Sequence, residues 1–157
     1  KLANKNDVKA QIKLGFLYDT KLEDFEAAAN WYKKAIEQAD DNTMYNSLGY
    51  DFEEQNGKGF ALHRLGFLYE DGKGVPLDNS EAVKNHKKAA ELGLEAAVSH
   101  LAWLHNLGPI ELRNYKEAAK WYLKLVNKGD YFAEYHLGKL YEEGKGVVQD
   151  YKKAFEL

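Results

Sequence analysis

No cysteine occurs among the 157 residues, which removes disulfide bonds and thiolate chemistry and leaves the compartment open. Proline is nearly as scarce, with only Pro76 and Pro109, both in turn-like contexts. No stretch approaches the roughly 18 apolar residues that a membrane-crossing helix requires. Neither end reads as a signal peptide, although a processed chain would have lost one. Charge of one sign is lacking as well: 22 Lys and Arg stand against 25 Asp and Glu, for a net −3. Nucleic acid is therefore a poor partner on electrostatic grounds. What remains is 45% hydrophobic and 13% aromatic, enough for an ordered core.

The thirteen glycines mostly recur at fixed offsets, and periodic glycine with little proline signals internal repeats. Leu-Gly followed three residues later by an aromatic occurs as Leu14-Gly15…Tyr18, Leu48-Gly49…Phe52, Leu65-Gly66…Tyr69 and Leu137-Gly138…Tyr141. Leu101-Ala102…His105 is a weaker copy, and Leu65, Leu101 and Leu137 are 36 residues apart. Four residues before each leucine stands a small or flexible apolar residue: Ala10, Met44, Ala61, Ala97, Ala133. Two copies continue into a glycine turn, Gly72-Lys73-Gly74-Val75 and Gly144-Lys145-Gly146-Val147, suited to a helix end that needs positive φ. Asp24, Asp78, Asn114 and Asp150 then stand where a second helix needs an N-cap. Four residues later comes Ala28, Ala82, Ala118 or Ala154, with Trp31-Tyr32, Asn85-His86 and Trp121-Tyr122 further on. Each unit thus reads as helix A, a glycine turn and helix B. Ala28, Trp31, Tyr32 and Ala35 share one helical face. The paired lysines Lys33-Lys34, Lys87-Lys88 and Lys152-Lys153 fall on a solvated outer one.

This set of motifs resembles the Sel-one-like repeat family, a relative of the tetratricopeptide repeat. The match runs A-x-x-x-L-G-x-x-Y, G-x-G-V, D-x-x-x-A-x-x-W-Y-x-K-A, then Gly, and covers essentially the whole chain. The resemblance implies an all-α fold, a right-handed α-α superhelix (solenoid). It also implies a scaffold or adaptor that binds another protein or peptide. Family roles include adaptors in eukaryotic membrane-associated degradation complexes. In bacteria they include signalling, exopolysaccharide export, host-cell interaction and toxin-immunity pairs.

The repeats are expected at about 7–40, 41–59, 60–93, 94–129 and 130–157, as a fragment of a longer array. The second is anomalous, because Leu48 and Leu65 are only 17 residues apart. Residues 43–56 and 60–70 both read as helix A with no helix B between them. Gly57-Lys58-Gly59 matches either an A–B turn or the close of a helix B. Either one repeat lacks a helix or a segment is absent here, and the cost of exposing an apolar solenoid face favours the second.

No catalytic constellation emerges. The five histidines are His63, His86, His100, His105 and His136. His100 and His136 share a repeat slot, but helices about 8–10 Å apart do not bring two such imidazoles onto one zinc. The Gly-Lys-Gly turns lack the Lys-Ser/Thr of a phosphate loop. No metal, cofactor or nucleophile is expected. Hydrolase activity, proposed for cysteine-rich relatives, has no nucleophile arrangement here.

A binding face is more legible. On a helical wheel, the positions two before and two after the helix A leucine point about 160–200° from it. The first slot holds Ile12, Asn46, His63, Ser99 and Tyr135, and the second Phe16, Tyr50, Phe67, Trp103 and Lys139. Four aromatics in a row, turned from their own core, suggest part of a concave groove. Arg64, His100, His136 and Lys13 lie on its flank. Two readings stay open: contact with a protein partner, or filling of the seam between neighbouring helices A. Stacking of the ring row on a glycan is an alternative, requiring Tyr50, Phe67 and Trp103 to be exposed.

Overall fold

Each expected second helix starts where an Asp or Asn side chain receives an orphan backbone N–H. In the computed structural model, which describes residues 7–45 and 55–157, Asp24 accepts from Ala27 N at 3.0 Å and Asn114 from Glu117 N at 3.1 Å. Asp78 accepts from Ser80 N and Glu81 N, and Asp150 from Lys153 N at 3.0 Å. Such a cap stabilises a helix by about 1 kcal/mol. Two compact units result, residues 1–94 and 95–157.

The first unit holds α1 (Val8–Leu17), a π-helical turn (Tyr18–Leu22), α2 (Phe25–Gln38), α3 (Gly57–Asp71) and α4 (Asn79–Glu91). Its core joins Ile12, Ala28, Tyr32, Ala35, Phe60, Ala61, Leu65 and Leu68. The second unit holds α5 (Glu95–Leu107), a 3₁₀ turn (Ile110–Leu112), α6 (Tyr115–Val126), α7 (Tyr131–Glu143) and α8 (Tyr151–Glu156). Leu101, Leu104, Trp121, Tyr122, Leu125, Leu137 and Leu140 are its largest core residues. Ala28, Ala82 and Ala118 are fully buried, and their small side chains let helix B lie close on helix A.

The glycine turns do two jobs. Gly72 and Gly144 end α3 and α7 in the left-handed region, with φ 64° and 65°. Gly74 and Gly146, at φ 67° and 73°, lie against the backbone of Phe25 and Tyr115, where a methyl group would overlap main-chain atoms. The second glycine therefore seats each turn on the first turn of the preceding helix B. Lys73 and Lys145 lie over the same two aromatic rings, each 5.4 Å from the ring centroid. The first repeat has no glycine here. Its connection from Leu14 to Asp24 is three residues shorter than that from Leu65 to Asp78, and the π-helical turn with Glu23 at φ 54° reverses the chain instead.

The anomalous stretch departs from expectation. A helix over 43–56 is not found at its ends: β1 (Met44–Tyr45) pairs antiparallel with β2 (Gln55–Asn56), Met44 opposite Asn56. The middle of that expected helix lies outside the described residues. Gly57-Lys58-Gly59 is neither an A–B turn nor a helix end, because α3 begins there. The Asn56 side chain caps it, accepting from Gly59 N at 2.7 Å.

Candidate functional site

Helix B carries a polar-headed ring at one repeating position, and helix A supplies both its seat and its partner. Tyr32 lies over Gly15 and His86 over Gly66, where added methyl groups would come within 2.7 and 2.5 Å of the rings. The partner is the residue directly after the helix A aromatic. Asp19 Oδ2 accepts from the Tyr32 hydroxyl at 3.0 Å, and Asn106 Nδ2 donates to the Tyr122 hydroxyl at 3.3 Å. Glu70 Oε1 lies 3.2 Å from His86 Nε2. Burial is costly for a hydroxyl or imidazole without a partner, so each repeat brings its own.

In both units the flank position of the next helix A completes the group. Arg64 donates to Asp19 Oδ2 through Nε and Nη2 at 2.8 and 2.6 Å. Its guanidinium carbon sits 5.8 Å from the Phe16 ring and 5.9 Å from Phe67. Burial works against the Arg64 charge, but the hydrogen bond and charge of Asp19 outweigh it and hold the group above its ordinary value. Burial and the Asp19 charge push the Tyr32 hydroxyl far up, so it stays a donor. His136 stacks on Tyr122 at 5.4 Å between centroids and meets Asn106 Nδ2 through Nδ1 at 3.5 Å. Burial lowers the His136 pKa, which favours the neutral ring. Arg64 and His136 thus tie one repeat to the next.

The row of predicted contact residues divides. Ile12 is fully buried and His63 nearly so; both belong to the packed interior. The helical wheel treated helix A as having one covered side, whereas α1 packs on both α2 and α3. Phe16 is half-buried and tilts against Phe60 at 5.7 Å. Phe67 is half-buried beside His63 and His86, at 4.7 and 5.1 Å. The two Nδ1 atoms of His63 and His86 are 2.8 Å apart, within hydrogen-bond distance of each other. In the first unit, then, Phe16 lies between neighbouring helices A, and Phe67 packs on a ring of its own helix and one of α4. In the second unit the row faces solvent: Trp103 is 41% exposed and Tyr135 61%, with Ser99 and Lys139 exposed beside them. His100, half-buried, stacks on Trp103 at 5.7 Å. Lys13 is exposed, and Asn46 and Tyr50 lie outside the described residues.

Sequence reasoning missed Asp19, Glu70 and Asn106. The signal was available, because Tyr18-Asp19, Tyr69-Glu70, His105-Asn106 and Tyr141-Glu142 put a polar residue after each helix A ring. Among the described residues no helix is long and apolar enough to cross a membrane.

Known proteins share this architecture. The crystal structure of a Sel1 repeat protein from Oxalobacter formigenes superposes with a TM-score of 0.73 at 33% identity, covering 97% of this chain and 56% of that one. A protective antigen of uropathogenic Escherichia coli strains, displaying an SLR fold, gives 0.72 at 28% identity, over 96% of this chain and 29% of its own. An uncharacterized protein of Neisseria meningitidis serogroup B is 37% identical over 169 residues, and a Sel1-like repeat-containing protein of Acanthamoeba polyphaga mimivirus 27% over 144. The alignments take in 98% and 92% of this chain but only 35% and 23% of those two relatives. The Sel1 repeat model matches residues 8–40, 59–94, 96–130 and 132–157, each with its helix A leucine and its capped helix B, the first three with the ring seated between them, and the chain belongs to the Sel1 repeat family.

Proposed function

We propose that the chain is a non-enzymatic scaffold that binds another protein through the exposed helix A face of its second unit. The observation that carries this reading is the exposure of Trp103 on α5, in the slot where Phe16 and Phe67 are half-buried, and of Tyr135 on α7, in the slot where Ile12 and His63 are buried. Burying such rings on association removes apolar area from water at little entropic cost, and aromatic anchors carry much of the energy at protein interfaces. A pre-folded helical face accepts an amphipathic helix or peptide in a groove. Membership of a family of protein-interaction repeats supports the reading. The glycan alternative needs an exposed Phe67, which is instead packed against His63 and His86.

The test is capture of a partner from the native source by wild type and by a Trp103→Ala, Tyr135→Ala double variant. The double variant is expected to keep the wild-type melting temperature and lose the partner, since each ring is more than two-fifths exposed. Phe67→Ala, by contrast, is expected to cost about 2–4 kcal/mol of stability. A partner held equally by wild type and double variant would move the site elsewhere.

A further inference from the structure

Beside the exposed Tyr135 lies a cavity of about 350 Å³, between the 106–115 connection and α7. Asn106, Tyr135 and His136 line it, and three cations stand at it: Arg113, Lys139 and Lys145. Glu143 is the one carboxylate in its lining. Lys145 is paired with Glu143 at 2.8 Å and Lys139 with Glu142 at 2.7 Å. Arg113 has no carboxylate partner among the described residues. Its Nε donates to Gly108 O at 2.9 Å, which holds the guanidinium in place and leaves both Nη groups to the cavity or to solvent.

The first unit shows what this arrangement lacks. There the residue after the helix A ring is Asp19, whose carboxylate receives Arg64 and Tyr32. In the second unit the same slot holds Asn106, which carries no charge. A neutral amide, a neutral imidazole and an unpaired guanidinium leave a site rich in donors and positive in sign. Its chemical complement is a carboxylate, which a guanidinium binds with charge-assisted and geometrically specific hydrogen bonds.

We propose that this cavity takes the carboxylate of an acidic side chain on the bound protein, next to the apolar contact made by Tyr135. The assignment rests on the scaffold reading and adds the chemistry of the partner: an acidic, apolar segment rather than a basic one. Contributions from the paired lysines are small and screened by salt, so Arg113 carries the selectivity.

The probes are two blocked peptides, one alternating glutamate and leucine, the other glutamine and leucine. Each is titrated into the 157-residue chain while the Arg113 side-chain and His136 ring resonances are followed. The glutamate peptide is expected to shift both saturably, roughly tenfold more tightly than the glutamine peptide. Arg113→Gln removes that difference. Arg113→Lys, which keeps the charge and loses the guanidinium's paired donors, is expected to retain only part of it and serves as the second variant if Arg113→Gln disturbs folding. Sodium acetate shifting the same resonances at equal affinity would assign the cavity to free small carboxylates and overturn the partner contact. Equal response to both peptides, or none at millimolar peptide, would also overturn it. Because the titration reads the cavity directly, its failure is distinct from loss of a captured partner on changing Trp103 and Tyr135.

Discussion

Gly74→Ala is expected to destabilise the protein by about 2–5 kcal/mol, and Gly146→Ala by a similar amount. Two separate effects add. A side chain at φ 67° or 73° is strained, which costs about 1–2 kcal/mol. The new methyl would also overlap the backbone of Phe25 or Tyr115, and main chain at the start of a capped helix cannot give way as a flexible side chain would. Displacing it costs about another 1–3 kcal/mol. Gly93 separates the two effects, because its φ is 86° but nothing lies within 4 Å of the added carbon. Gly93→Ala is accordingly expected to cost only about 1 kcal/mol. Urea denaturation of the three variants reads the difference. If Gly74→Ala and Gly93→Ala lose the same stability, the turn is not seated on the preceding helix in the way described.

Asp19→Ala is expected to lower stability by about 3 kcal/mol. The Asp19 side chain is 6% exposed and that of Arg64 27%. Removing the carboxylate therefore leaves a partly buried guanidinium and a fully buried Tyr32 hydroxyl without their acceptor. Breaking one side of a buried pair costs more than the pair contributed, because the remaining charge stays desolvated. Water reaching Arg64 relieves some of this. Asp19→Asn keeps an acceptor for Tyr32 and removes the charge, so an intermediate loss is expected. Asn106→Ala, in the matching slot of the second unit, removes two long hydrogen bonds between uncharged groups, to Tyr122 and to His136, and about 1 kcal/mol is expected. Ranking the three by chemical denaturation tests whether one slot does the same work in both units. Asp19→Ala no worse than Asn106→Ala would mean that Arg64 does not depend on its partner.

The repeat grammar was legible because it states local requirements. Capping needs an Asp or Asn side chain, a left-handed helix end needs glycine, and close helix packing needs alanine; Asp24, Gly72 and Ala28 meet each in turn. The contact row was legible only in part, for a helical wheel sees one helix and not its neighbours. Ile12 and His63 fall opposite the helix A leucine, yet are buried by helices that the wheel leaves out. Trp103 and Tyr135 occupy the same kind of slot and stay exposed. The polar residues after the helix A rings were passed over because a single Asp or Glu on an amphipathic helix reads as surface. Only the tyrosine or histidine across the A–B seam, far away in sequence, makes Asp19 or Asn106 an interior residue. The short turn in the first repeat was hidden for another reason. A π-helical turn has no distinctive residue type, and Glu23 at positive φ replaces the glycine that would have marked it.

Site-specific photocrosslinking tests the central claim most directly. A photoreactive side chain is placed in turn at positions 103 and 135 on helices A of the second unit, and at 116 and 120 on the exposed side of α6. After irradiation in the native source, the account predicts one crosslinked protein species common to 103 and 135 and absent from 116 and 120. Crosslinks confined to 116 and 120, or equal at all four positions, would contradict a binding face built on helix A.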